Sequence, residues 1–121
     1  MATITIKGNE LTDLKLTYKG IKYLNKITGG AFETVAQAMQ GDVDLFPHII
    51  HACLLGTDTK ATLQEVEQAI EQALESENLD LLDVLRISNE VVTESFFFKA
   101  TVTKMLADQK DAQKALKNLL A

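Results

Sequence analysis

The sequence is poor in the residues that carry most protein chemistry. It has one cysteine, one proline and one arginine, no tryptophan, and two histidines in 121 residues. The lone Cys53 cannot form an intrachain disulfide, so a disulfide-stapled extracellular scaffold is excluded. Cys53, His48 and His51 are the only soft metal ligands, one short of a four-ligand zinc site, and nothing in the spacing requires a carboxylate to complete it. A single arginine, Arg86, and a net charge of -5 oppose sequence-specific nucleic-acid binding, which draws its affinity from cations on phosphates. No apolar run approaches the ~20 residues that span a bilayer. The longest candidate, Ile49 to Leu55, is interrupted by His51. The first residues alternate polar and apolar with no basic stretch leading an apolar block, so no signal peptide is expected. A cytoplasmic location follows by elimination.

Catalytic signatures are missing too. Gly29-Gly30 is not followed by a phosphate-loop Lys-Ser/Thr pair, and no serine stands in a nucleophile elbow. The carboxylates fall on helix surfaces or near helix starts, as Asp42, Asp44, Asp80 and Asp83 do, where they favour the positive end of the dipole. No enzyme activity, cofactor or resident metal is expected.

Hydrophobic residues make up 46% of the chain and charged residues 24%, which is enough apolar surface for one core and too little charge for a disordered tail. The expected fold is mainly helical with a short N-terminal β-hairpin. Thr3 to Lys7 and Leu14 to Tyr18 both alternate with period two and read as strands, joined through Gly8, Asn9 and a connector reaching Asp13. From Lys19 the period becomes helical. Ile21, Leu24 and Ile27 share one face and Gly29-Gly30 stops the helix. Phe32, Val35, Ala36 and Met39 follow to Gly41. Asp44 reads as an N-cap with Pro47 in the first turn. Thr62 and Glu65 have the spacing of a capping box ahead of the stripe Leu63, Val66, Ala69, Ile70, Ala73 and Leu74.

From Asp80 to Ala107 there is neither Gly nor Pro, which favours one continuous helix. Phe96, Phe97 and Phe98 spread over ~200° of it at about 100° per residue. Val91, Phe96, Phe97, Phe98, Val102 and Met105 are therefore the candidate surface for a client or a second copy, beside the plainer role of a central core helix. Residues 1–107 read as a single domain and 108–121 as a tail with weak helical patterning through Ala112, Ala115, Leu116, Leu119 and Leu120.

Several of these segments occur in a familiar order. Leu14-Lys15-Leu16-Thr17-Tyr18 runs into Leu24-Asn25-Lys26-Ile27-Thr28-Gly29-Gly30. Asp44 and the apolar His51 to Gly56 stretch follow, then the Thr62-x-x-Glu65 helix and the long closing segment. Over about residues 1–107 this resembles tail assembly chaperones of long-tailed phages and prophages of Gram-positive bacteria. The resemblance implies a non-enzymatic chaperone that binds the tape measure protein, keeps it soluble during tail morphogenesis, and is left out of the mature virion. It implies partners among tail proteins, the tape measure protein first and the major tail protein beside it. Self-association is expected from the apolar ridge, and neither a nucleic acid nor a membrane is an expected partner on the charge and hydropathy given above. A virion structural component, such as a tail-tube or head–tail connector protein, and a cellular helical adaptor are the competing expectations.

Overall fold

A computed structural model describes residues 3–11, 14–95 and 98–104. The chain opens in a two-stranded antiparallel hairpin, β1 (Thr5–Ile6) and β2 (Asn9–Glu10), with Thr5 opposite Glu10 and Ile6 opposite Asn9. Lys7 and Gly8 form the two-residue turn, both at positive φ (52° and 80°), which matches the twist of paired strands. The expected second strand at Leu14 to Tyr18 is absent. The partner of the first strand is the much nearer Asn9–Glu10, because a tight turn closes with less lost entropy than a long connector. Residues 14–17 approach the next helix without regular structure, with Leu16 buried.

Helix α1 (Tyr18–Thr28) is capped by Thr17, whose side chain accepts from the Gly20 N–H, and ends at Gly29 in the left-handed region at φ 108°. Helix α2 (Ala31–Met39) follows directly and turns Thr34, Val35 and Ala38 inward. Phe32, expected on the buried face, is half-exposed, because the inward face begins two residues later.

Helix α3 (Phe46–Leu54) buries Phe46, Ile49, Ile50, Ala52, Cys53 and Leu54. It packs against α1, α4 and α5, so the apolar-all-round element at the centre of the fold is this helix. The Asp44 cap is displaced. Asp42 accepts from the Asp44 and Leu45 N–H groups at 2.9 and 3.3 Å, and its carbonyl accepts from Phe46 N–H at 3.1 Å. A preliminary turn at 43–45 thus leads into α3, and its cap is two residues earlier than the sequence suggests.

Helix α4 (Leu63–Glu75) carries the expected capping box in both directions, Thr62 with Glu65, and buries Val66, Ala69, Ile70 and Ala73. Its other contacts include the hairpin, and Thr3 N–H reaches back to the Asn78 carbonyl at 2.9 Å. Helix α5 (Leu81–Ser88) begins with a second box, Asp80 with Asp83.

The expected continuous helix from Asp80 to Ala107 is broken. After Ser88 the chain enters a π-helical turn, Asn89–Thr93, and helical bonding stops at Glu94 and Ser95. The cause is polar. The Asn89 side chain donates to the Leu85 carbonyl at 2.7 Å and the Ala38 carbonyl at 3.3 Å, while the Thr93 hydroxyl donates to the Asn89 carbonyl. Polar side chains that bind backbone inside a helix compete with its ladder, and here they widen it by one residue. Helical structure resumes over 99–104.

Candidate functional site

The most specific sequence motif, Leu24 to Gly30, is a structural corner between α1 and α2. Gly29 N–H closes α1 on the Asn25 carbonyl at 2.9 Å. The buried Thr34 hydroxyl lies 2.9 Å from Asn25 Oδ1, 2.7 Å from the Thr28 hydroxyl and 2.9 Å from the Gly30 carbonyl. Three polar side chains thereby satisfy one another inside a turn that has little apolar burial of its own. Its residue types are fixed by geometry.

A second cluster joins α1 to α3. The Tyr23 hydroxyl and His48 Nδ1 share a hydrogen bond of 2.7 Å, and the His51 ring meets Tyr23 edge-on at 5.2 Å. The two histidines do lie one turn apart on a shared face, and that face meets Tyr23. Burial, with the nearby His48, pushes His51 below the usual imidazole range, while burial chiefly raises Tyr23. Cys53 is buried and its thiol is pushed up to about 12, which leaves it protonated and inert near neutral pH. Among the described residues no three His, Cys, Asp or Glu side chains form a group that could hold a metal. No described helix is long and apolar enough to cross a membrane.

The residues expected to present a client surface are distributed differently. Val91 and Phe98 are in the core, at 6% and 1% exposure, so neither offers a ridge. Val102 is half-buried against that core. Phe96, Phe97 and Met105 lie outside the described residues. Burial gives Val91 and Phe98 the plainer role of core residues, Val91 on the π turn that packs against α2 and α5.

Among the described residues an exposed apolar ridge lies on α5, beside scattered exposure at Tyr18, Ile27 and Phe32. On α5, Val84, Ile87 and Ser88 turn inward, which leaves Leu81 (64% exposed), Leu82 (75%) and Leu85 (37%) outward. Leu81 and Leu85 are four apart and Leu82 and Leu85 three apart, so the three side chains form one ridge. Gly41 lies against its end: a side-chain Cβ there would meet Leu85 Cδ1 at 2.8 Å. Val43, two residues on, is half-exposed. Arg86 lies beside the ridge, held by Asp83 at 3.4 Å and Glu90 at 3.2 Å. The sequence does carry this signal, since Leu81-Leu82 fills the first turn of a helix whose inward face begins only at Val84. The adjacent triple phenylalanine is the louder feature.

A protein-family model described as phage tail assembly chaperone protein, TAC, matches residues 3–107. The chain belongs to this family. The match takes in the hairpin, α1 to α5, the π turn and the helical residues 99–104. The tail assembly chaperone fold is therefore, in this chain, an α3-centred helical bundle with a small N-terminal hairpin. Comparison with curated proteins and with solved structures gives no significant match. A chaperone family is typically non-catalytic and acts by binding. The family assignment directs attention to surfaces that a tail protein could cover.

Proposed function

We infer that this tail assembly chaperone binds the tape measure protein and holds it soluble in the host cytoplasm until the tail tube forms around it, then stays out of the virion. The tape measure protein is a long, apolar, coiled-coil-prone client. A holdase for such a client needs an apolar surface set on a framework that does not depend on it for stability. The Leu81-Leu82-Leu85 ridge is the observation that carries the reading. It projects from a helix anchored at its start by the Asp80–Asp83 box and on its inner side by Val84 and Ile87. An amphipathic client helix could lay its own apolar stripe along it. The net charge of -5 keeps a protein with such a ridge in solution. Without client, a second copy of the chain could cover the same leucines.

Co-expression with the tape measure protein tests the reading. The client is expected in the insoluble fraction alone and in the soluble fraction with this chain, co-purifying with it. A client that stays insoluble, or that dissolves without the chaperone, overturns it. Recovery of the chain from purified particles would favour the virion-component reading instead.

A further inference from the structure

A cleft of about 570 Å³ opens where the hairpin turn, the start of α1, the end of α3 and the start of α4 meet. Clefts of this size accommodate a few side chains of a bound peptide. Leu54, Leu55 and Ala61 supply an apolar lining, and Lys7, Lys19 and Lys60 supply cations against a single carboxylate, Glu65. The chain as a whole is acidic, so this is a local inversion of its charge. Lys7 is held in place: its Nζ donates to the Lys60 carbonyl at 2.6 Å and pairs with Glu65 at 3.5 Å. Lys19 and Lys60 have no carboxylate within ion-pair distance among the described residues.

The positions of Lys7 and Lys19 oppose local stability. Lys19 stands in the first turn of α1, which has no acidic residue there, so the cation faces the positive end of the helix dipole. Lys60 lies two residues before the Thr62 cap of α4 and lines the same cleft. Lys7 occupies a left-handed turn position at φ 52°, where Asn, Asp or Gly would be less strained. The start of α1 is brought to the cleft by a close approach in which a Cβ on Gly56 would lie 3.0 Å from the Thr17 side chain. The end of α3 supplies the opposing sign, but the Leu54 carbonyl already accepts from the Gly56 and Thr57 N–H groups and the Thr57 hydroxyl. Two cations with no carboxylate in ion-pair distance among the described residues, Lys19 and Lys60, thus line an apolar cleft beside the Lys7–Glu65 pair.

We propose that this cleft is a binding site for an acidic peptide segment of a protein partner, with a carboxylate side chain between Lys19 and Lys60 and a neighbouring apolar side chain against Leu54, Leu55 and Ala61. It is independent of the α5 ridge and of the tape measure reading.

The test is fluorescence anisotropy of the full chain with a labelled peptide in which Leu and Glu alternate. The matched Leu/Gln peptide, inorganic phosphate and a single-stranded oligonucleotide serve as competitors. The Leu/Glu peptide is expected to bind with an affinity that falls as salt rises, and the competitors to bind at least about tenfold more weakly. Lys19→Glu with Lys60→Glu should weaken the Leu/Glu peptide by about tenfold or more and admit a Leu/Lys peptide. The same double variant should unfold at an equal or higher denaturant concentration, since it places an acid in the first turn of α1. Equal affinity for the Leu/Gln peptide, stronger binding of phosphate or the oligonucleotide, or an unchanged affinity in the double variant would overturn the proposal. Weaker binding accompanied by a lower unfolding midpoint would do the same, since it would make the lysines structural.

Discussion

Gly20 of α1 lies directly against the Ala52 carbonyl of α3: a Cβ at Gly20 would stand 2.5 Å from that oxygen and 3.1 Å from its carbon. Backbone cannot rotate out of the way as a side chain can. The small residue therefore sets how closely the first helix approaches the central one. Ala is the better helix former by roughly 1 kcal/mol, which would favour Gly20→Ala if propensity decided the outcome. Overpacking a close helix contact costs about 1–3 kcal/mol, and more where backbone must shift. Packing is expected to win, so Gly20→Ala should lower the urea midpoint, whereas Lys22→Ala on the same helix should leave it nearly unchanged.

The corner at Thr34 makes a second expectation. Thr34→Val preserves shape but removes the hydroxyl shared by Asn25, Thr28 and Gly30. The partners lose a bond to a hydroxyl that is itself buried, at a cost of about 1–3 kcal/mol. Equilibrium denaturation should show that loss, and amide exchange should quicken first at the α1–α2 junction. Equal stability of the valine variant would mean that water replaces the hydroxyl.

The two capping boxes predict acid sensitivity. Glu65 accepts from the Thr62 backbone N–H at 3.1 Å and Asp83 from the Asp80 N–H at 3.1 Å, and these bonds chiefly hold both carboxyls below their ordinary range. A carboxyl with a lowered folded pKa adds stability that is fully present above its unfolded value. That contribution is lost as the pH falls through the folded one. Stability should accordingly decline below about pH 4, the ordinary carboxylate range. Glu65→Gln together with Asp83→Asn should flatten part of that decline in pH-dependent denaturation. Thr62→Ala, which removes the hydroxyl from Glu65 N–H, should cost about 1 kcal/mol near neutral pH.

The helices that carry local punctuation were legible in the sequence. Thr62 with Glu65, Gly29-Gly30 and Gly41 mark ends that the structure reproduces, because caps and left-handed residues act over three or four positions. The hairpin was half legible: Thr5 and Ile6 pair, but with Asn9 and Glu10, residues with no strand patterning of their own. There the Lys7-Gly8 turn decided the register, and a lysine at positive φ gives no warning of it. The break at Asn89 was hidden for a different reason. Neither Gly nor Pro marks it, and its causes, the Asn89 bond to Ala38 and the Thr93 back-bond, depend partly on a helix fifty residues away. That break also moved the candidate surface. With Val91 and Phe98 turned into the core, the outward leucines of α5 are the larger exposed apolar cluster among the described residues.

The ridge and the core can be separated by substitution, which gives the last prediction. Leu81 and Leu82 are mostly exposed, and changes at such positions usually alter stability by no more than about 0.5 kcal/mol. Leu81→Ser with Leu82→Asp should therefore leave circular dichroism and the unfolding midpoint nearly intact while sharply reducing the soluble fraction of the co-expressed tape measure protein. Phe98→Ala should behave in the opposite way. Emptying a fully buried aromatic site costs about 3–5 kcal/mol, so that variant should lose stability first and client binding only in proportion to the folded fraction. If instead the leucine variant keeps full client recovery and a folded Phe98→Ala protein loses it, the client surface lies on the segment after the π turn and the α5 ridge has another use.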